Sequence, residues 1–518
     1  MGRKAVALKG VQWHFDIRYI TYDPIPGHVL FLVRLDAKEK YVERLPVGIE
    51  GNDDRGLSFF PETGAEAAPE MAKALLYCFK NKVEGKSEDN LMPPSFKLAT
   101  DDATLARAVE KELGKLGVPS SQCKVEVEKS DMRVLFAQIQ FEDAYRGFKA
   151  KWGISAQEAR MGEDVPSPPE AIGFSNFKPP SDFAASSGAE KGLEDVQAML
   201  DYVQALLNAS PMSDERLLNM ENEVMKVRLL FMEKPAGIRK READDGDGGA
   251  AMDYGLRLYF GAGVAPSRRL SRKYLIQAAL DASVLDSTRS IAHALLTSWY
   301  TACQNDFRTR YLFAAAHHAN EAMRLTLGRV PPPAVLFFGK NLLECEADRG
   351  TRGLRSQFKH VWKAVAKREG EMEAERNAAR LKRLTKPNRY RCATVGCGIE
   401  ASSGKMLLRC AGKCDPDKKP SYCSKECQKA DWKNHKPFCI PGAACSVIDD
   451  SSNSSNMGGY KSAGAIGVPV QNADGTSTFV SSTTMSASEL REFRDVADGK
   501  AKAGNGVPSN IQMERWEI

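Results

Sequence analysis

The chain has 518 residues, 42% of them hydrophobic and 27% charged, with a formal net charge of +6; that is enough apolar material for two or three domains with their own cores. No run of about 18 apolar residues occurs, the opening MGRKAVALKG has no apolar signal core, and Val6 departs from the myristoylation pattern, so no membrane association is expected. Cys78, Cys123, Cys303, Cys345 and Cys445 are scattered and odd in number, which argues against a disulfide framework and for a reducing intracellular compartment, nucleus or cytoplasm.

From the N-terminus, VQWHFDIRYITY and HVLFLVRL alternate as half-buried strands do and flank the turn-like DPIPG (Asp23 to Gly27), which predicts a β-hairpin. Pro69 is expected to open a helix, PEMAKALLYCFKN, with Met71, Leu75, Leu76 and Phe79 on one side. SFKLAT reads as a short strand. DDATLARAVEKELGKLGVP reads as a helix with Asp101 or Asp102 as cap, Leu105, Val109, Leu113 and Leu116 as its stripe, and Gly117 as its stop. CKVEVEK returns to strand and VLFAQIQFEDAYRGF to helix. This order predicts an α/β (or α+β) module over residues 1–155.

Residues 156–190 are rich in Pro, Ser and Gly and read as a linker. Residues 191–345 are expected to be all-α. LEDVQAMLDYVQALLNAS and SDERLLNMENEVMKVRLLFME come first, with Met199, Met220, Met225 and Met232 read as core filling. Then Tyr274-Leu275 with Ala278-Ala279 recurs as Tyr311-Leu312 with Ala315-Ala316, and Gly261, Gly263 and Val264 mark a turn in the first copy. This resembles the Sel-type helical repeat, a relative of the tetratricopeptide repeat. The resemblance implies close helix packing through alanines and a concave face that holds protein partners; an ordinary helical bundle is the plainer alternative.

Several tempting motifs fail. Gly261-Ala262-Gly263 lacks the third glycine and the preceding strand of a dinucleotide fingerprint. DDGDGG (Asp244 to Gly249) has Gly255 or Leu256 where a calcium loop needs its bidentate Glu, so it reads as a flexible acidic linker. His317-His318 has no third ligand nearby in sequence, and no nucleophile elbow, H-E-x-x-H or phosphate loop occurs. No catalytic residue is expected.

Residues 346–388 form a basic connecting segment. Between Arg352 and Arg391 there are 13 Lys and Arg against four Glu, a local net charge of about +9. Strong helix formers, with Phe358, Trp362, Val365 and Met372 as an early apolar stripe, predict a helix that Pro387 stops. Its charge reads first as a solvated face, and second as a surface for nucleic acid or nuclear import.

The strongest signal follows. Cys392, Cys397, Cys410, Cys414, Cys423, Cys427, His435 and Cys439 make the pattern C-x4-C-x12-C-x3-C-x8-C-x3-C-x7-H-x3-C within 48 residues. Four close pairs of soft ligands suit Zn²⁺, which takes four thiolate or imidazole donors in a tetrahedron. A stretch this short buries too little apolar surface to fold without the metal. Tyr422, Cys423, Cys427, Gln428, Asp431, Trp432, His435 and Cys439 match Y-C-x-x-x-C-Q-x-x-D-W-x-x-H-x-x-x-C, and the segment resembles the MYND finger. Two loops are longer than in the commonest animal form: the C-x4-C of the first pair and DPDKKPS before the third.

The resemblance implies a cross-brace over residues 389–442. One Zn²⁺ would sit on Cys392, Cys397, Cys423 and Cys427, the second on Cys410, Cys414, His435 and Cys439. Filled sites of this kind have no open position for substrate and are structural. The last helix, with Ser424 as its cap, would display Gln428 and Trp432 as a groove for proline-containing extended peptides such as Pro-x-Leu-x-Pro; the alternative is that Trp432 packs the finger's own core. Residues 1–155 loosely resemble an uncharacterised module found beside MYND fingers in fungal and plant proteins.

MYND fingers also occur in SET-domain methyltransferases, but neither the N-H-S-C-x-P-N-like stretch nor the Tyr-bearing motif of that class occurs here. Residues 443–518 are rich in Ser, Gly and Asn and read as a disordered tail. The expected molecule is a multidomain, non-enzymatic adaptor that binds two Zn²⁺ and engages proline-containing protein partners in transcriptional or assembly complexes. A nucleic-acid-binding regulator using the basic helix, and an enzyme with an unrecognised site in residues 1–155, are the alternatives.

Overall fold

The computed structural model describes residues 11–21, 26–35, 39–47, 56–83, 96–151, 168–175, 191–210, 220–302, 309–326, 330–343, 357–401, 407–447, 466–471, 477–482 and 484–497. These fall into two compact units, residues 1–366 and 367–518. Among the described residues no helix is long and apolar enough to cross a membrane.

The first unit opens on β1 (Val11–Ile20), which pairs antiparallel with β2 (Gly27–Arg34), and β2 with β3 (Lys40–Leu45). The chain then crosses through α1 (Gly64–Asn81) to β4 (Phe96–Thr100), parallel to β1, and through α2 (Ala103–Lys115) to β5 (Val125–Val127), parallel to β4. The result is a mixed five-stranded sheet in the order β3-β2-β1-β4-β5.

Trp13, Phe15, Ile17 and Tyr19 of β1 share a core with Leu30, Leu32 and with Met71, Leu75 and Val109 of α1 and α2. On the opposite face, Val29, Phe31 and Val33 pack against Ala137, Phe141 and Tyr145 of α3 (Asp131–Lys151). Both faces are therefore covered, and most of the polar positions of β1 that alternate with its apolar ones do not reach water. His14, Asp16 and Arg18 are buried. Arg18 makes a two-pronged pair with Asp16 (Nε to Oδ1 2.8 Å, Nη2 to Oδ2 2.6 Å), donates to the Pro169 carbonyl at 2.9 Å, and lies 4.1 Å from the Phe141 ring centre. Burial pushes the Asp16 carboxyl up, but Arg18 outweighs it and holds the pKa below the usual value.

Local boundaries shift where caps compete with the apolar pattern. Thr63 caps α1, accepting from the Glu66 N–H, so Pro69 lies inside the helix and does not open it. Asp102 is the cap of α2. Leu116 falls at the C-terminal cap and is exposed, so it leaves the stripe formed by Leu105, Val109 and Leu113.

The helical part comprises α4 (Lys191–Ala209), α5 (Met220–Glu233), α6 (Ala236–Asp244), α7 (Gly248–Phe260), α8 (Arg268–Leu280), α9 (Asp286–Thr301), α10 (Thr309–Leu325) and α11 (Pro333–Phe337). From α7 to α10 each helix packs on the next. Tyr274, Leu275, Ala278 and Ala279 are buried, and so are their counterparts Tyr311, Leu312, Ala315 and Ala316. Gly261 ends α7 in the left-handed region at φ 76°, which turns the chain into α8 with little steric cost. Asp244 to Asp247 is not a loose acidic linker: Asp247 caps α7 and Tyr274 Oη donates to Asp244. Met225 and Met232 are exposed rather than core filling, because α5 turns a different face to its neighbours.

Part of the stretch expected to be a linker, residues 168–175, is described and packs within the first unit. Ile172 N–H donates to the Ile17 carbonyl at 2.8 Å, and the Phe174 and Ser175 N–H groups donate to Asp102 Oδ2 at 2.6 and 2.7 Å, so part of the expected linker lies on the sheet; residues 152–167 and 176–190 lie outside the described residues. Glu62, just before α1, receives Arg268 of α8 at 3.2 Å and the Tyr311 hydroxyl of α10 at 3.0 Å. Arg310 donates to the Pro61 carbonyl, and Arg268 stacks 3.5 Å from the Trp299 ring. One apolar cluster runs from Trp13 to Val365. Sheet and helices form one body because their contact is itself a core.

α12 (Lys359–Thr385) begins with Val361 and Val365 in that core and ends before Pro387, as its sequence predicts. Residues 346–356 of the expected basic segment lie outside the described residues. The second unit continues with α13 (Pro387–Tyr390), β6 (Glu400–Ala401), β7 (Leu408–Arg409), β8 (Ser421–Tyr422) and α14 (Lys425–His435). The tail expected to be disordered holds β9 (Ile466–Gln471), β10 (Ser477–Ser482) and α15 (Ala487–Ala497). β9 and β10 form a hairpin that pairs through β9 with β6. Val468, Val470 and Leu490 are buried with Ile399, Ala401 and Tyr422 in the unit's small core. The Ser, Gly and Asn bias does not govern this stretch, because its apolar residues find a partner sheet already in place. Residues 448–465 and 498–518 lie outside the described residues.

Candidate metal centre

Each ligand pair sits on a short device that fixes two donors at once. Cys392 enters along a bridge to Ser421, its N–H donating to the Ile399 carbonyl at 2.8 Å, and Cys397 closes a turn on the Thr394 carbonyl. Thr394 Oγ1 in turn donates to the Cys427 carbonyl at 2.8 Å, which ties the first knuckle to α14. Ser424 caps α14 by accepting from the Cys427 N–H, so Cys427 lies in the first turn and His435 at the last residue.

The second knuckle, Cys410 to Cys414, depends on Gly412. Its N–H points at Cys410 Sγ at 3.3 Å, and a Cβ there would lie 2.2 Å from Cys439 Sγ. No side chain fits. The longer loop before the third pair is held by Asn388, whose Nδ2 donates to the Asp417 and Lys419 carbonyls at 2.8 and 3.1 Å.

The donors converge in two sets. Sulfurs of Cys392, Cys397, Cys423 and Cys427 all lie within 4.8 Å of one another, and so do the donor atoms of Cys410, Cys414, His435 and Cys439. In chain order the first set takes pairs one and three and the second takes pairs two and four, which is the interleaving of a cross-brace. In the first set Cys397–Cys423, Cys423–Cys427 and Cys427–Cys397 are 3.5, 3.4 and 3.7 Å. In the second Cys410–Cys439 and Cys414–Cys439 are 3.8 and 4.0 Å, and His435 Nε2 is 3.3 Å from Cys410 and 3.7 Å from Cys414. A tetrahedron with Zn–S bonds of about 2.3 Å has S···S edges of about 3.8 Å, so both sets have the size of a tetrahedral zinc shell.

The chemistry of the donors agrees. Hydrogen bonds from Cys397 and Cys423 draw the Cys392 thiol down to about 2. Its own hydrogen bond to Cys392 raises Cys397 to about 12, and the same neighbour pushes Cys423 further up. One thiolate suppresses the next; a divalent cation at the centre removes that repulsion. Burial lowers the His435 imidazole, which favours the neutral form a metal needs, and its Nδ1 lies 3.0 Å from Ser446 Oγ, leaving Nε2 for the ion. With four protein donors per set, neither centre offers a position for substrate.

Gln428 and Trp432 lie on α14 between the two donors it carries. Gln428 is half-buried and Trp432 is 43% exposed. Tyr422, fully buried with its hydroxyl donating to Asp431 Oδ2 at 2.9 Å, is the aromatic of the finger's core. The rejected His317-His318 pair does acquire a third imidazole, His293, whose Nδ1 is 2.9 Å from that of His318. Burial takes His293 down to about 3, and among the described residues these histidines join no metal-type cluster.

Sequence reasoning missed Ser446, Arg491 and Arg494, all outside the eight-ligand pattern. Arg494 Nη1 donates to the Cys397 and Gly396 carbonyls at 2.6 and 3.2 Å, and Arg491 Nη1 to Cys427 Sγ at 3.5 Å. One signal was there to read: Ser486-Ala-Ser-Glu489 is a capping box, with the Ser486 N–H donating to Glu489 and the Glu489 N–H to Ser486 Oγ.

The family model of the MYND finger matches residues 392–439. Comparison with curated proteins and with solved structures gives no match for the chain, and the resemblances to Sel-type repeats and to the fungal and plant module gain no support. The match falls on the same 48 residues that bring together two interleaved donor sets of zinc-shell dimensions, and the chain therefore carries a MYND zinc finger that fits two zinc ions.

Proposed function

We propose that the protein is an adaptor whose finger captures extended, proline-containing protein segments across Gln428 and Trp432, within transcriptional or assembly complexes. The observation that carries this reading is the exposed Trp432 on a helix rooted at both ends by metal donors. Residues four apart on a helix share a face, so Gln428 offers an amide beside the indole. A rigid aromatic surface suits a proline ring, and an already extended peptide loses little entropy on docking. Tyr422 already supplies the aromatic of the core, and Trp432, whose ring meets His435 edge-on at 6.2 Å, keeps an exposed face for a partner. The packed helices α7 to α10 offer a second surface for proteins, and the donors' full use in metal binding argues for a scaffold rather than a catalyst.

The test uses the full chain with two zinc ions bound and a Pro-x-Leu-x-Pro peptide series. Trp432→Ala and Gln428→Ala are expected to abolish peptide capture while metal analysis still returns two zinc ions per chain. Peptide binding that survives both substitutions overturns the groove. If instead no peptide binds and duplex DNA does, with affinity falling steeply with salt as phosphate neutralisation requires, the basic run from Arg376 to Arg391, which contains no acidic residue, is the binding element.

A further inference from the structure

We propose that Arg491 is an outer partner of the Cys392, Cys397, Cys423 and Cys427 centre, held there by the C-terminal hairpin and helix, and that this arm governs how tightly that one zinc ion is retained. The two centres differ in charge. Three thiolates and an imidazole around Zn²⁺ leave a monoanion, whereas four thiolates leave a dianion, which has the greater need of a nearby positive charge or N–H donor. Arg491 supplies both. Its Nη1 donates to Cys427 Sγ at 3.5 Å.

The arm is built to hold this position. Leu490, the preceding residue, is fully buried beside Val468 and Ile399. Arg494, one helical turn on and so on the same face, clamps the Cys397 and Gly396 carbonyls, the backbone of the first knuckle. The capping box at Ser486 and Glu489 fixes where the helix starts. The arm thus touches both ligand pairs of this centre, the first through Arg494 and the third through Arg491.

The experiment follows zinc release from the full-length protein loaded with two ions, using an excess of chelator and a colorimetric zinc reporter near neutral pH. Cysteine alkylation and peptide mapping of the one-zinc intermediate identify which set has opened. Arg491→Gln is expected to speed release of one ion about tenfold, as for loss of a charge-assisted hydrogen bond at a partly exposed site. The second ion keeps its rate, Cys392, Cys397, Cys423 and Cys427 are the residues alkylated, and Arg491→Lys restores part of the loss. Arg494→Gln, which leaves Arg491 in place but removes its clamp, is expected to speed the same ion by a smaller factor. This second variant decides the matter should Arg491→Gln fail to load two ions. Unchanged release of both ions, or equal acceleration of both, overturns the proposal.

Discussion

The two units are stabilised by different physics. Residues 1–366 bury tryptophans, tyrosines and leucines in one large cluster and place a few charges inside it, each with a partner. Among the described residues, the unit of residues 367–518 has an apolar core of a dozen buried side chains, five of them cysteines of the donor sets. A core that small cannot offset the entropy of ordering the chain, so coordination must. The same chain therefore contains one part whose stability is spread over many contacts and one in which it is concentrated in two ions.

Metal removal tests that contrast most directly and carries the largest expected effect. Structural zinc in small fingers contributes an apparent 10–16 kcal/mol or so to folding, so chelation is expected to unfold the second unit while the first keeps its helical circular dichroism and its own thermal transition. Gly412→Val is expected to do half of this genetically: the added side chain would collide with Cys439 Sγ, and native mass spectrometry should find one zinc ion in place of two. A first transition that moves with zinc loading would end the separation of the two units.

In the first unit the comparable weak point is a charge. Glu62 and Arg268 are both buried, and Glu62 also accepts from Tyr311. Glu62→Ala removes the carboxylate that balances the buried Arg268 charge, which is expected to cost about 3–5 kcal/mol, read as a shift of the denaturation midpoint. Since Glu62 precedes α1 while Arg268 and Tyr311 lie in α8 and α10, sheet and helices should still unfold in one transition. Two separate transitions would show them to be distinct domains, as the Pro-rich stretch after residue 155 suggests.

What the sequence disclosed and what it hid follow the same division. The eight donors were legible because chelation is local: each pair is four or five residues apart, and the resemblance to the MYND finger implies the cross-brace. The hairpin of β1 and β2 and the helix capped by Asp102 were legible for the same reason. Contacts between distant residues left no such mark. Glu62 and Arg268 are 206 positions apart, and nothing in either neighbourhood announces the other. The polar positions of β1 pointed to a wet face, but α3 covers it and Asp16 and Arg18 satisfy each other. The C-terminal arm was hidden by composition, although Asp474-Gly475 between alternating segments is a hairpin signal and Ser486 with Glu489 a helix start.

The arm offers an intermediate effect. Leu490 is the fully buried anchor of α15, and Leu490→Ala is expected to cost about 2–3 kcal/mol through lost transfer energy and the cavity left behind. Because the cost falls on a segment outside residues 392–439, hydrogen exchange should rise first in β9, β10 and α15. Exchange that rises equally in α14 would mean the arm and the finger are one inseparable fold.

The smallest effect on stability separates two aromatic residues of the finger that the family pattern treats alike. Tyr422 is fully buried and its hydroxyl donates to the buried Asp431, whereas Trp432 is 43% exposed. Tyr422→Phe keeps the ring but leaves a carboxylate short of a donor, and removing one partner of a buried hydrogen bond costs about 1–3 kcal/mol. Trp432→Ala removes far more atoms, yet it removes them largely from the surface, where substitutions commonly stay within about 0.5 kcal/mol. The expected order is therefore the reverse of side-chain size: the lost hydroxyl destabilises the zinc-loaded finger more than the lost indole. Chemical denaturation of the second unit at saturating zinc checks it. An indole that matters only for a partner is cheap to delete in isolation, and if Trp432→Ala proves the costlier change, the indole belongs to the core and the binding surface of the finger lies elsewhere.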